Sequence, residues 1–261
     1  MTTVTAAQRE LATALADQAG VIARRYFRQP LAVEQKADRS PVTQADREAE
    51  QAMRGMIESA FPTHGIFGEE FGRVRAESDF TWVLDPIDGT KSFIAGLPLF
   101  GILIALCFKG KPVLGIIDQP VSRERWLGIA GEATIFNGKP VHTRTGAGLA
   151  AATLYATSPD MFEGEAAAGF GRLRDAVKLT RYGADCYAYG LLACGFIDLV
   201  VESALKPYDF SALAPVVEGA GGSFTDWQGA PVSLASDGRV IAAGDARLAE
   251  VARLQLEKRG R

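Results

Sequence analysis

Residues 82–90 read Trp-Val-Leu-Asp-Pro-Ile-Asp-Gly-Thr. Asp85 and Asp88 stand three apart where an apolar run ends in a turn, with Gly89 and Thr90 directly after. Two carboxylates held close repel, and each resists leaving water, so the pair needs compensation. Together with the backbone carbonyl between them they form a hard, oxygen-rich nest suited to Mg²⁺ or Mn²⁺. Pro86 stiffens the turn by holding φ near about −65°. Gly89 and Thr90 offer backbone N–H groups and a hydroxyl, which at a helix start would face an anion such as phosphate. A cation site and a phosphate site would then adjoin. Taken alone, Asp-x-x-Asp is also what an ordinary Asp-rich turn contains.

Further acids are spaced along the chain. Glu69 and Glu70 follow a short apolar strand, where a solvated loop is the ordinary use of such residues. Asp209 follows Tyr208 just before a helix, where a carboxylate also serves as an N-cap worth about 1 kcal/mol. Asp46 sits near the start of a helix, where the dipole favours it in any case. Taken together these acids are a constellation. Competing chemistries are poorly supplied: there are only two histidines, His64 and His142, against a His-rich zinc site. No cysteine has an Arg six residues on, and no Gly-x-Ser-x-Gly elbow, P-loop or Gly-x-Gly-x-x-Gly fingerprint occurs. Carboxylates are left as the working groups.

The elements that must position them belong to an α/β chain. With 261 residues, 48% of them hydrophobic, it can bury a sizeable core. A net charge of −3 with scattered Lys and Arg argues against nucleic acid as a partner. The apolar stretch from Pro98 to Phe108 falls far short of the roughly 20 residues of a membrane span. The N-terminus has no apolar h-region, and Cys107, Cys186 and Cys194 form no Cys-x-x-Cys pair. A reducing compartment, the cytoplasm, is the expectation.

Helical spacing of Leu11, Leu15, Ile22 and Tyr26 predicts a helix over 5–28, and Ser40 or Thr43 can cap a second running to residue 60. Strands are expected at 31–36, 79–85, 99–108, 112–120 and 124–130, with a short strand and loop over 64–72 and a type I′ hairpin at Asn137-Gly138. Beyond residue 150 strands and helices alternate, ending in a helix from 246. The expected organisation is two subdomains, 1–145 and 146–261, joined by a Gly-rich stretch. Trp82, Phe93, Phe100, Trp126 and Cys194 are expected in the core or an interface, and His64 and His142 in loops.

Gly68-Glu69-Glu70, the Asp85-Pro-Ile-Asp-Gly-Thr90 motif, Tyr208-Asp209 and Gly-Ala-Gly-Gly at 219–222 resemble the inositol monophosphatase superfamily. Ser-Pro-Val-Thr-Gln-Ala-Asp at 40–46 matches as well, so the likeness spans nearly the whole chain. Tyr208 stands where inositol phosphatases usually carry Trp. Long stretches around residues 97–129 and 181–203 resemble the histidinol-phosphatase branch, which serves histidine biosynthesis. The resemblance implies an α+β layered αβαβα sandwich.

The same resemblance implies site roles. One Mg²⁺ would lie among Glu69, Asp85 and the Ile87 carbonyl, a second among Asp85, Asp88 and Asp209, and a looser third near Glu69; Mn²⁺ could substitute. The cations would activate a water and neutralise the phosphoryl group. Asp46 and Thr90 match a pair that positions or deprotonates that water, and the Gly89 and Thr90 amides would hold phosphate. Asp185, Glu202 and Asp209 match substrate-pocket positions and suit the ammonium and imidazole of histidinol. Arg181 matches a position near the phosphate, reached from the same or a neighbouring subunit, and a homodimer is expected. The implied reaction is hydrolysis of L-histidinol phosphate. The alternatives are inositol 1-phosphate or another small phosphate ester, and a non-catalytic phospho-ligand-binding regulator, which the complete acid set disfavours.

Overall fold

The computed structural model describes residues 3–30, 33–35 and 41–257. In chain order come α1 (Ala6–Tyr26), β1 (Val33–Gln35), β2 (Pro41–Thr43), α2 (Gln44–Ala60), β3 (Gly65–Gly68), β4 (Gly72–Val74), β5 (Phe80–Asp88) and α3 (Thr90–Ile94). Then follow β6 (Gly101–Phe108), β7 (Lys111–Gln119), β8 (Glu124–Ile129), β9 (Ile135–Phe136), β10 (Lys139–Pro140) and β11 (Thr153–Ala156). The last stretch holds α4 (Gly164–Ala176), β12 (Leu179–Tyr182), α5 (Tyr187–Ala193), β13 (Leu199–Glu202), α6 (Pro207–Phe210), α7 (Leu213–Gly219), β14 (Ser223–Asp226), β15 (Val240–Ala243) and α8 (Ala246–Glu257).

Local chemistry sets the helix ends. Thr5 and Gln8 form a capping box at the start of α1, and Thr43 and Asp46 form one at the start of α2. Ser40, the other candidate cap, lies outside the described residues. At the end of α7, Gly222 donates its N–H to the Val217 carbonyl at 3.0 Å, and Gly221 takes φ +89°. A glycine there satisfies the last carbonyls without a Cβ penalty.

Three apolar clusters define five layers. One face of an eight-stranded sheet, ordered β10-β9-β8-β7-β6-β5-β3-β4, packs on α1 and α2 through Leu15, Met53, Ile57, Trp82 and Ile104. Its other face, with Leu103, Ala105 and Ile117, packs on α5, α6 and α7 through Tyr189, Leu192, Phe210 and Val216. Those helices also cover Val200 and Ala242 on one face of a five-stranded sheet, ordered β12-β11-β13-β15-β14. The far face of that sheet buries Leu154, Leu199 and Ile241 against α4 and α8. This is the expected αβαβα layering. The centre is tight: a Cβ on Gly115 of β7 would lie 2.0 Å from the Ala212 carbonyl oxygen, and one on Gly128 of β8 would lie 2.3 Å from the Pro215 backbone.

The sequence predicts a turn after Asp85, but β5 continues to Asp88. Its pairing with β6 steps from Asp85 opposite Leu103 to Asp88 opposite Gly101, three residues against two. The extra residue is a bulge, and it contains Pro86, whose missing N–H would break a regular ladder. In a regular strand, residues three apart point to opposite faces. The bulge restores Asp88 to the side of Asp85, because Leu103 and Gly101 share a face.

Other departures are small. α4, β14 and the short α6 escape the periodicity reading, since Gly and Ala dilute the apolar pattern of the first and the others are too short for one. Pro41–Thr43 is extended against Val33–Gln35 instead of starting the helix. Asn137 and Gly138 take φ +45° and +82° between β9 and β10, as the hairpin requires. His64 lies in the bend before β3, as expected of a loop residue, yet it is buried, stacked on Phe61 at 4.5 Å and Phe80 at 5.0 Å, and accepts Trp82 Nε1–H at 3.1 Å. Cys194 is only half-buried and accepts from Trp126 Nε1 at 3.2 Å.

The close approach at Gly115 predicts that Gly115→Ala forces α7 off the sheet. Overpacking of this kind costs about 1–3 kcal/mol, a fall of roughly 3–10 °C in the melting midpoint for a chain of this size. Thermal denaturation checks it, and an unchanged midpoint would contradict the packing.

Candidate active site

The three aspartates meet between the sheets. Single oxygens of Asp85, Asp88 and Asp209 all lie within 4.8 Å of one another. Each carboxylate is tied by one backbone N–H. Asp85 Oδ1 accepts from Ile87 at 3.0 Å, Asp88 Oδ2 from Cys186 at 2.7 Å, and Asp209 Oδ2 from Lys206 at 2.6 Å. These donors come from the β5 bulge, the entry to α5 and the residue before α6. Glu69 follows β3, which pairs in parallel with β5, and its N–H donates to the Leu84 carbonyl at 3.1 Å. Parallel neighbours bring the loop after β3 alongside the end of β5.

Electrostatics records how the acids crowd. Burial pushes the Asp85 carboxyl well above the usual range, and the charges of Glu69, Asp88 and Asp209 push it further. Burial likewise raises Asp88, aided by Asp185 and Asp209. Asp209 is pushed up to about 7, by burial first and Glu69 among the charges, against the Lys206 N–H that lowers it. Asp46 is pushed up to about 6 by burial, partly offset by its hydrogen bonds to Thr43. A divalent cation fits this donor set: all three ligand atoms are carboxylate oxygens, close-set and short of positive charge.

A cleft of about 350 Å³ opens beside the acids, lined among others by Glu69, Asp88, Thr90, Asp185, Glu202 and Asp209. Gly89 takes φ +85° ahead of α3, and a Cβ there would lie 2.7 Å from Asp185 Oδ2. Only glycine meets both demands. Gly183, Ala184 and Asp185 are successive left-handed residues at φ +85°, +79° and +44°. Such geometry costs about 1–2 kcal/mol for a non-glycine residue and persists where the surroundings over-determine it. Ser92 Oγ–H to Asp185 Oδ2 at 2.9 Å is one such restraint. Glu202 is buried on β13, accepting Thr157 N–H at 2.8 Å and Tyr189 O–H at 2.7 Å. Burial raises the carboxyls of both Asp185 and Glu202.

A profile of the inositol monophosphatase family matches residues 5–259. The chain belongs to this family. It is a phosphatase of the kind that acts on small phosphate esters, with the mixed α/β layers that the family's solved structures share. It is 53% identical over 253 residues to the bifunctional phosphatase IMPL2, chloroplastic, of Arabidopsis thaliana, covering 94% of this chain and 73% of that protein. It is 37% identical over 235 residues to the histidinol-phosphatase of Chlorobaculum parvum, covering 89% and 91%. The solved inositol monophosphatase of Zymomonas mobilis superposes with a TM-score of 0.89 at 51% identity, covering 98% of this chain and all of that one.

Of the family-derived positions, Glu69, Asp88, Gly89, Thr90, Asp185, Glu202 and Asp209 line the cleft; Asp85 is buried beside Asp88 and Asp209, and the Ile87 side chain is buried in the apolar cluster under α1 and α2. Asp46, Thr90 and Arg181 are placed as follows. Thr90 Oγ1–H donates to the Ile87 carbonyl at 3.1 Å, not to Asp46. Asp46 spends Oδ2 on capping Thr43, leaving Oδ1 buried without a hydrogen-bond partner. Arg181 is exposed on β12, the edge of the five-stranded sheet, and does not line the cleft of its own chain. The sequence reading also passed over Lys91, Tyr189 and Glu50. Glu50 is four residues after Asp46 on α2, a spacing that puts both acids on one helical face.

Among the described residues no helix is long and apolar enough to cross a membrane.

The raised carboxyls give a pH dependence with a definite sign. The folded chain holds these protons to higher pH than the unfolded chain does. Without a cation, their stabilisation is full in acid, below about 4, and is lost as pH rises through the folded values, about 6 for Asp46 and about 7 for Asp209. Asp88 shifts the same way. In EDTA, Asp88→Asn should therefore melt progressively higher than the unsubstituted chain as pH rises from about 4 to 7, and added Mg²⁺ should reverse the order. A gap that stays constant with pH would contradict the crowding.

Proposed function

We propose that the chain is a Mg²⁺-dependent histidinol-phosphatase, hydrolysing L-histidinol phosphate to L-histidinol and phosphate in histidine biosynthesis. The observation that carries the reading is the acidic wall of the cleft. Asp185 is held at the mouth in a strained backbone, with Glu202 buried behind it. An ammonium and an imidazole are the complement of such a wall. A neutral polyol such as inositol has no need of a fixed carboxylate at Asp185. The likeness to the Chlorobaculum parvum histidinol-phosphatase supports the same choice.

On this reading Asp85, Asp88 and Asp209 hold one Mg²⁺, Glu69, Asp85 and the Ile87 carbonyl another, and a third is held loosely near Glu69, with Mn²⁺ as a substitute. When bound, the cations supply positive charge to the phosphoryl oxygens and acidify a water. The Gly89 and Thr90 amides bind phosphate at the start of α3. Thr90 steadies the Ile87 carbonyl. Asp46 is the proton acceptor: its buried Oδ1 has no hydrogen-bond partner, and a carboxyl near 6 suits a base working near neutral pH. Residues 1–145 form the metal- and phosphate-binding subdomain and 146–261 the substrate subdomain. The protein works in the cytoplasm as a homodimer, with Arg181 reaching the neighbouring subunit's phosphate.

The test is phosphate release from L-histidinol phosphate and from inositol 1-phosphate, each with Mg²⁺ and with EDTA. A preference for histidinol phosphate that disappears in EDTA is expected; a preference for inositol phosphate would overturn the substrate assignment. Asp185→Ala should lower kcat/KM for histidinol phosphate by about 10–100-fold, the worth of a charge-assisted hydrogen bond. It should leave inositol phosphate hydrolysis within about threefold. Equal losses on both substrates would show that Asp185 only supports the fold.

A further inference from the structure

Glu50 is fully buried on α2, one turn beyond Asp46. Its Oε2 accepts the Glu70 N–H at 2.7 Å, and its Oε1 accepts the Phe71 N–H at 3.2 Å and Arg54 Nε–H at 2.7 Å. Arg54 also donates to the Gly72 carbonyl and lies over the Phe71 ring. Gly68 closes the arrangement: a Cβ there would sit 1.9 Å from Glu50 Oε1. The loop after β3 is thus gripped on both sides of Glu69. Leu84 of β5 takes the Glu69 N–H, and Glu50 takes the next two amides.

A buried charge is costly, and a well-packed apolar residue in its place is often neutral or better for stability. Glu50 has a use beyond stability that explains its cost. Its charge-assisted bonds fix two amides whose position decides where the Glu69 carboxylate stands relative to Asp85. We propose that Glu50 is a positioning residue that sets the divalent-cation affinity of the acidic cluster by holding the loop that carries Glu69. This rests on the reading of that cluster as a metal site. Because Asp46 and Glu50 share one face of α2, the helix registers both the proposed proton acceptor and the Glu69 loop. The Arg54 Nε–H bond to Oε1 holds the Glu50 carboxyl group against the loop.

Two variants address the same contact. Glu50→Gln keeps the side chain's size but loses its charge and one acceptor. Gly68→Ala keeps the charge and drives the carboxylate away from the loop. Mg²⁺ is titrated calorimetrically into chelator-stripped protein with no substrate present, and the Mg²⁺ dependence of phosphate release is measured beside it. Both variants should weaken Mg²⁺ binding by about 10–100-fold, as loss of a group orienting a metal ligand does. The half-saturating Mg²⁺ should rise in step, while KM for substrate at saturating Mg²⁺ stays within about twofold. A lowered melting midpoint with unchanged Mg²⁺ affinity would make Glu50 merely structural and overturn the proposal. If Glu50→Gln does not fold, Gly68→Ala and Glu50→Asp, which keeps the charge but shortens its reach, decide by the same titration. An unsubstituted chain that binds no Mg²⁺ would instead overturn the metal reading itself, a result distinct from unchanged variants.

Discussion

Asp85, Asp88 and Asp209 repel one another, and much of the molecule is arranged to hold them together regardless. Each gives one oxygen to a backbone N–H, from Ile87, Cys186 and Lys206. Backbone donors cannot rotate away as side chains can. They come from β5, the entry to α5 and the entry to α6, so the cluster exists only when the central helix layer is docked on the first sheet. That docking has little slack. Gly115 and Gly128 admit α7 to backbone contact, and a Cβ on Gly101 would lie 2.4 Å from Cys186 Sγ.

The bulge in β5 is the local device on which this depends. One extra residue rotates Asp88 onto the side of Asp85 and places the Ile87 carbonyl and N–H between them. Pro86 suits the bulge, having no N–H to waste there. The repulsion so created raises the carboxyls and makes the cluster hungry for positive charge. The same physics that destabilises the empty cluster favours a cation in it, so stability and affinity trade against each other.

Strain of a different kind lies at the substrate side. Three successive left-handed residues bring Asp185 over Gly89, where only the absence of a side chain leaves room. The cleft therefore carries a fixed carboxylate, bonded to Ser92 and set against Gly89 at the start of α3.

Much of this was legible in the residues. Apolar periodicity located α1, α2 and the central strands, Asn137-Gly138 marked its hairpin, and the motifs at 68–70, 85–90 and 208–209 identified the family and Glu69, Asp88, Gly89, Thr90 and Asp209 of the cleft. These are local signals, because spacing along a chain reports directly on side-chain direction within one element. What spacing could not report was decided by tertiary structure. Whether Asp85 and Asp88 sat on a turn or a bulge depended on the partner strand β6. Whether Thr90 met Asp46 depended on where the fold set the Thr90 hydroxyl, which donates to the Ile87 carbonyl. The exposure of Arg181 followed from β12 lying at a sheet edge. Glu50 had the right spacing from Asp46, yet its role appears only once β3 lies beside β5 and delivers two amides to it. By itself the sequence determined which residues could bind a cation and a phosphate. Only the fold decided which of their oxygens were left to do so, because hydrogen-bond competition is settled by neighbours distant along the chain.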